Sequence, residues 1–145
     1  MALRRLEHVG VVVDDLAAAT EFFLELGLER QGEGEARGEW VDRVVGLEGV
    51  EVEFAMLRTP GGDGCLELIE FRSPPSPAVD AQVAANVPGL RHLAFLVDDL
   101  EATLSALRGH GAELIGEVEN YRDVYRLCYL RGPAGVIVEL AEEVG

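Results

Sequence analysis

The chain has 145 residues, the length of one ordinary domain, and 48% of them are apolar, which is enough for a sizeable core. Its 27 acidic residues outnumber 12 basic ones, and the formal net charge of −15 argues against nucleic acid or a membrane as a partner. All twelve basic residues are arginine, and the absence of lysine excludes Schiff-base chemistry and a P-loop.

The cysteines and the N-terminal segment indicate the compartment. Cys65 and Cys128 each lie in an apolar run, where a buried free thiol is the ordinary interpretation and favours a reducing environment. Residues 1–8 lack the apolar segment of a signal peptide, and no stretch reaches the ~18 apolar residues that span a bilayer. We therefore expect a cytoplasmic protein.

An internal repeat organises the chain. Residues 6–27 align with residues 90–111 without a gap, with eight identities in 22 positions. Each copy predicts an apolar strand, an aspartate pair that caps a helix, leucines at helical spacing and a final glycine. The matched residues that carry this interpretation are His8/His92, Asp14/Asp98, Asp15/Asp99, Leu16/Leu100 and Gly27/Gly111.

Strand-like segments follow each helix. Residues 50–57 and 65–71 predict one hairpin, and residues 125–130 and 136–141 predict a second. The glycine-rich stretch 28–47 predicts a loop and then a short helix.

These elements define an α+β fold of two tandem βαβββ modules within a single domain, residues 1–145. The modules cover residues 1–72 and 89–145. The proline-rich segment 73–88 is expected to link them.

Four polar residues interrupt apolar strands at matching places in the two modules. His8 and His92 lie in the first strand of each module, and Glu67 and Glu139 lie in the last. A carboxylate inside an apolar strand is costly to bury without a partner. Two imidazoles and two carboxylates suit a six-coordinate divalent ion with two positions left for substrate oxygens.

Each of these residues also has an ordinary structural interpretation. A single strand histidine is more often a core or surface side chain than a ligand, and a strand glutamate can face water across an open sheet. The recurrence of both residue types in both halves favours the metal site. Glu70 has the opposite strand parity from Glu67, and we expect it to face solvent.

The motifs LEHVGVVVDDL, GLRHLAFLVDDL, LELIEF and RGPAGVIVEL resemble those of the vicinal oxygen chelate superfamily. This superfamily contains glyoxalase I, methylmalonyl-CoA epimerase, extradiol dioxygenases, fosfomycin-resistance enzymes and bleomycin-binding proteins. The resemblance covers most of the chain and is nearest to the epimerase and glyoxalase I. It implies a curved mixed sheet around a central metal cavity, with His8, Glu67, His92 and Glu139 as metal ligands.

The resemblance implies an enzyme that transfers a proton next to a carbonyl, an epimerase, isomerase or glyoxalase-type lyase, with Glu139 or Glu67 as the base. The cofactor would be one divalent ion of nickel, cobalt, zinc, manganese or iron. The partner would be a small-molecule substrate, and a homodimer is common among such proteins. An iron(II) extradiol-type dioxygenase and a non-catalytic binding protein that sequesters a small molecule are the alternatives.

Five further residues lie in segments that would rim a cavity in such a fold, although each also suits an ordinary surface or core role. These candidate substrate contacts are Trp40, Arg43, Tyr121, Arg122 and Arg126.

Overall fold

The computed structural model describes residues 2–145, which divide into two compact units at Ala78 and Val79. Both units combine helices with a mixed sheet, so the predicted α+β class is confirmed. The first unit contains β1 (Val9–Val12), α1 (Leu16–Leu26), β2 (Glu29–Arg37), α2 (Glu39–Val45), β3 (Glu51–Arg58) and β4 (Cys65–Ser73). The second unit contains β5 (His92–Leu96), α3 (Leu100–Arg108), β6 (Glu113–Leu114), β7 (Glu119–Tyr121), β8 (Tyr125–Arg131) and β9 (Ile137–Glu143).

The strand order is equivalent in the two sheets. The first sheet has the order β1-β4-β3-β2, and the second has the order β5-β9-β8-β6, with β7 also pairing with β8. In each unit the first strand is parallel to the last strand, and the last pairs antiparallel with the strand before it. This topology places each histidine-bearing segment directly beside the glutamate-bearing strand of its own unit.

The predicted aspartate caps are present at the two long helices. The Asp15 carboxylate accepts a hydrogen bond of 3.0 Å from the Ala18 amide, and the Asp99 carboxylate accepts an equivalent bond of 3.0 Å from Ala102. Each satisfies an amide that the first helical turn leaves without a partner. No helix within residues 2–145 has the length and apolar character needed to cross a membrane.

A second carboxylate reaches the start of each helix from the last strand. Glu70 accepts a hydrogen bond of 2.9 Å from the Leu16 amide, and Glu142 accepts one of 2.7 Å from the Leu100 amide. The expectation that Glu70 faces solvent is therefore wrong, because its face of the sheet is the one that α1 covers. Its strand parity, opposite to that of Glu67, is as predicted.

Each unit buries one face of its sheet against its helix. In the first unit, the α1 side chains Phe22 and Phe23 are almost fully buried, as is Leu68 of β4. In the second unit, the predicted leucine stripe of α3 is fully buried, as are Leu130 and Leu140 of the sheet. The opposite face of each sheet is only partly covered by its own unit, and that face carries the histidine and the glutamate.

Residues 28–47 differ from the prediction. The expected short helix is present as α2, but the expected loop is the nine-residue strand β2, which pairs with β3 along its length. Glycine is compatible with this strand because the Phe54 ring lies over Gly34, where an added Cβ would be 3.0 Å from the ring. The apolar pattern expected of a strand was absent, since β2 is an edge strand with mostly exposed side chains.

Candidate functional site

The first unit brings His8 and Glu67 together. His8 immediately precedes β1, and its Nε2 atom lies 3.8 Å from Oε1 of Glu67 in β4. The parallel register places Gly10 of β1 directly beside Glu67, so no side chain from that position competes for the space between the two residues. The pair lies on the sheet face that α1 leaves open.

The second unit repeats this arrangement. His92 begins β5, and its Nε2 atom lies 3.4 Å from Oε1 of Glu139 in β9. The residue beside Glu139 in the parallel register is Ala94, which is again small. The same histidine–glutamate pair thus forms in both units. Strand alternation places both side chains on one face, and the topology puts the first and last strands of each unit side by side.

Both pairs are accessible to a ligand while remaining partly shielded from water. The histidine side chains are 35% and 37% exposed, and the glutamate side chains are 26% and 21% exposed, in the first and second units respectively. A partly buried carboxylate is stabilised by a cation or a hydrogen-bond donor as its partner.

The donor set of each pair fits a divalent metal ion. An imidazole nitrogen and a carboxylate oxygen are common ligands of zinc, manganese, iron, cobalt and nickel, with bonds of roughly 2.0–2.2 Å. Adjacent donors at such bond lengths are roughly 2.8 to 3.6 Å apart around an octahedral or tetrahedral ion; the second pair, at 3.4 Å, falls in this range, and the first, at 3.8 Å, lies slightly beyond it. Within residues 2–145, no group of three or more histidine, cysteine, aspartate or glutamate side chains gathers at metal-binding distance.

Two of the predicted substrate contacts lie on α2 of the first unit. This helix packs through Val41 against Ile69 and Phe71, which share the strand face of Glu67. Trp40 is 58% exposed, and Arg43 is exposed with an ion pair of 3.6 Å to Glu39. The structure therefore places Trp40 and Arg43 on an element that covers part of the face carrying Glu67.

The other three predicted contacts lie in the second unit, on two different faces. Tyr121 pairs with Tyr125, whose strand parity is that of Glu139, and the Arg122 guanidinium lies 5.2 Å from the centroid of the Tyr121 ring. Arg126 has the opposite parity and pairs with Glu101 of α3. The structure therefore does not bring Arg126 together with Glu139, because its side chain extends toward the helix.

One residue beside the second pair was missed in the sequence. Tyr129 of β8 lies opposite Glu139 in the antiparallel register, and its hydroxyl is 3.4 Å from Nδ1 of His92. Counting outward from the predicted turn at residues 132–135 pairs Tyr129 with Val138, whereas the observed register pairs it with Glu139. The exact register of the hairpin was needed to find this neighbour.

The two cysteines do not add ligands to the pairs. Burial raises the pKa of the Cys65 thiol above its usual value, and the nearby carboxylates of Glu7 and Glu67 raise it further. Burial also raises the pKa of the Cys128 thiol, which lies within the core under α3. In the part of the chain that the structure describes, neither thiol gathers with a histidine–glutamate pair at metal-binding distance.

A protein-family model matches this chain over most of its length. The model of the Glyoxalase/Bleomycin resistance protein/Dioxygenase superfamily matches residues 7–129. The match extends from the residue before His8 to Tyr129, so it covers residues 7–72 of the first module and ends before Glu139 in the second.

Individual relatives agree with the family model. A crystal structure of a glyoxalase family protein from Bacillus cereus is 43% identical, covers 100% of this chain and 97% of its own, and superposes with a TM-score of 0.95. The uncharacterized protein YaeR of Escherichia coli (strain K12) is 29% identical over 99% of both chains. The fosfomycin resistance protein FosX from Listeria monocytogenes, solved with Mn(II), shares the fold at 15% identity, with a TM-score of 0.62 over 96% of this chain and 90% of its own.

Proposed function

The chain belongs to the glyoxalase/bleomycin resistance protein/dioxygenase superfamily, and on that premise we propose that it is a metal-dependent enzyme that transfers a proton next to a carbonyl. The substrate class is a small oxygenated molecule, and the reaction is an epimerisation, an isomerisation or a glyoxalase-type lyase step. His8, Glu67, His92 and Glu139 are the proposed metal ligands.

The observation that supports this proposal most strongly is the duplicated histidine–glutamate pair. Each unit presents one imidazole nitrogen and one carboxylate oxygen within 3.8 Å of each other, beside a residue of minimal size. A solvent-exposed ion pair would need neither the repeated small neighbour nor the same face in both units. The small neighbours favour a metal site, because the ion and a substrate oxygen require space beside the ligands.

The proposed roles follow from the chemistry of these side chains. A bound divalent cation supplies Lewis-acid stabilisation of the negative charge that develops on a substrate oxygen. The imidazoles of His8 and His92 would hold the metal through Nε2, the nitrogen that faces the carboxylate in each pair. The carboxylate of Glu139 or Glu67 accepts the proton from the carbon next to the carbonyl and returns it to complete the reaction.

Metal binding is the first test. Metal-free protein would be titrated by calorimetry with manganese(II), cobalt(II), nickel(II) and zinc(II), and with iron(II) under anaerobic conditions. We expect about one ion per chain, and we expect His8→Ala and His92→Ala to lose binding. His110→Ala is the matched control, because His110 follows α3 and belongs to neither pair. Wild-type protein that binds none of these ions would overturn the metal proposal.

Proton transfer is the second test. Wild-type protein loaded with metal should catalyse solvent-deuterium incorporation into at least one of three probes: a 2-hydroxy ketone, a hemithioacetal and a 2-methyl acyl thioester. The Glu139→Gln variant should exchange about 10²- to 10⁴-fold more slowly, because it lacks the base. Glu143→Gln changes an exposed residue of the same strand and should exchange at the wild-type rate.

The alternatives would give different results. Oxygen uptake with a catechol in the presence of iron(II), without deuterium exchange in any probe, would replace the proton-transfer proposal by the dioxygenase. Binding of a small molecule with neither exchange nor oxygen uptake would indicate a sequestering protein instead.

A further inference from the structure

Tyr129 makes the second histidine–glutamate pair chemically different from the first. Its hydroxyl lies 3.4 Å from Nδ1 of His92, and the two rings are 4.9 Å apart between centroids. Its Cα atom lies opposite that of Glu139 in the β8–β9 ladder. The phenol is therefore adjacent to both members of the pair, and it contacts the imidazole nitrogen that does not face Glu139.

The two nitrogens of His92 consequently have different neighbours. Nε2 lies 3.4 Å from the Glu139 carboxylate, whereas Nδ1 faces the Tyr129 hydroxyl. A neutral imidazole carries its proton on one nitrogen and a lone pair on the other. A histidine that binds a metal through Nε2 must carry the proton on Nδ1, and a hydrogen-bond acceptor at Nδ1 stabilises that tautomer. The phenol oxygen can accept this hydrogen bond.

The equivalent position in the first unit lacks this group. The residue opposite Glu67 in the β3–β4 ladder is Met56, whose thioether is only a weak hydrogen-bond acceptor. The internal repeat thus preserves the histidine and the glutamate in both units but gives a phenol to the second unit alone. This asymmetry makes His92 the better organised of the two imidazoles.

We propose that Tyr129 is a positioning residue that orients the His92 imidazole through a hydrogen bond at Nδ1, so that Nε2 is the metal-binding atom. This inference rests on the proposed metal site. Tyr129 acts through His92 and not through the substrate. Without metal, the Glu139 carboxylate favours the proton on Nε2, and the Tyr129 hydroxyl donates a hydrogen bond to Nδ1. With Nε2 bound to a metal, Nδ1 would carry the proton and donate it to the hydroxyl oxygen. In both states the Tyr129 ring limits rotation of the imidazole.

The tautomer can be measured directly in the metal-free protein. Two-bond ¹⁵N–¹H NMR spectra at pH 8, where an ordinary histidine is neutral, report which nitrogen of each imidazole carries the proton. We expect the Nε2–H form for His92 in the wild type, with the Nδ1 resonance shifted by the hydrogen bond that it accepts from Tyr129, and we expect that shift to be lost in Tyr129→Phe. Tyr125→Phe is the matched control, because Tyr125 has the same strand parity but lies opposite Glu143 at the end of the strand. An unchanged His92 spectrum in Tyr129→Phe would overturn the inference.

Metal affinity provides the second readout. Tyr129→Phe should weaken binding of the titrated metal by about 10- to 100-fold, the usual effect of removing a hydrogen-bond partner of a ligating histidine, and Tyr125→Phe should not weaken it. If the wild type binds no metal, the proposed function fails, yet the NMR measurement still decides the role of Tyr129. If the wild type binds metal through His92 but Tyr129→Phe changes neither the affinity nor the Nδ1 resonance, the inference fails and the proposed function stands.

Discussion

Replacing Glu142 by Gln should destabilise the second unit by about 1–2 kcal/mol. The Glu142 carboxylate accepts a hydrogen bond of 2.7 Å from the Leu100 amide in the first turn of α3. A hydrogen bond to a charged group contributes about 1.5–3 kcal/mol, and one between neutral groups about 0.5–1.5 kcal/mol. Glutamine retains an acceptor oxygen, so the difference between these values is what is lost. The interaction of the negative charge with the helix dipole adds about 0.3–1 kcal/mol.

The measurement is thermal and urea unfolding followed by far-UV circular dichroism. A loss of this size should lower Tm by about 3–6 °C in a chain of this length. Glu143→Gln makes the same chemical change one residue later, at an exposed position on the opposite face of β9, and should be nearly neutral. If the two variants unfold within about 0.3 kcal/mol of each other, the carboxylate does not stabilise the helix start as argued.

Three further perturbations test the packing and the thiol chemistry. Gly135→Ala would place a Cβ against the carbonyl oxygen of Ala81 and should lower the free energy of unfolding by at least about 2 kcal/mol, measured by urea unfolding. Gly111→Ala, which is also at positive φ but has open space around it, should lower it by about 1–2 kcal/mol. Leu104→Ala, at a fully buried position of α3, should lower stability by about 2–5 kcal/mol, and a loss below about 1 kcal/mol would contradict the assigned core. Burial raises the pKa of the Cys128 thiol in the folded chain, so the thiol of the unfolded chain loses its proton at a lower pH. The stability that this thiol contributes is therefore complete below about pH 8.5 and declines as the pH rises above it. The difference in urea midpoint between wild type and Cys128→Ala should therefore narrow from pH 7 to pH 10, and a constant difference would refute this linkage.

Local chemistry was sufficient to predict several parts of the fold. Aspartate before an apolar helical pattern predicts a helix start, and both Asp15 and Asp99 cap helices as expected. The glycine-rich turns and the apolar alternation around them predict the two hairpins that become β3–β4 and β8–β9. These features depend on neighbours within a few residues, so a single sequence contains the information needed.

The sequence by itself also determined which residues are candidates for the site. Apolar strands that contain a histidine or a glutamate at matching places in two repeats are unusual, because an unpaired buried carboxylate is costly. That argument identified His8, Glu67, His92 and Glu139 without coordinates. It did not determine their distances or their partners, because these depend on which strands become neighbours.

Tertiary structure decided the remainder. Parallel pairing of the first and last strands sets the histidine–glutamate distances in each unit, and the hairpin register places Tyr129 beside His92. Glu70 accepts a hydrogen bond from the Leu16 amide because α1 covers the sheet face to which Glu70 points. Arg126 pairs with Glu101 because α3 covers the corresponding face in the second unit. Strand parity gives a side chain one of two directions. Only the packed helix decides whether that direction leads to solvent, to a charged partner or to the open face.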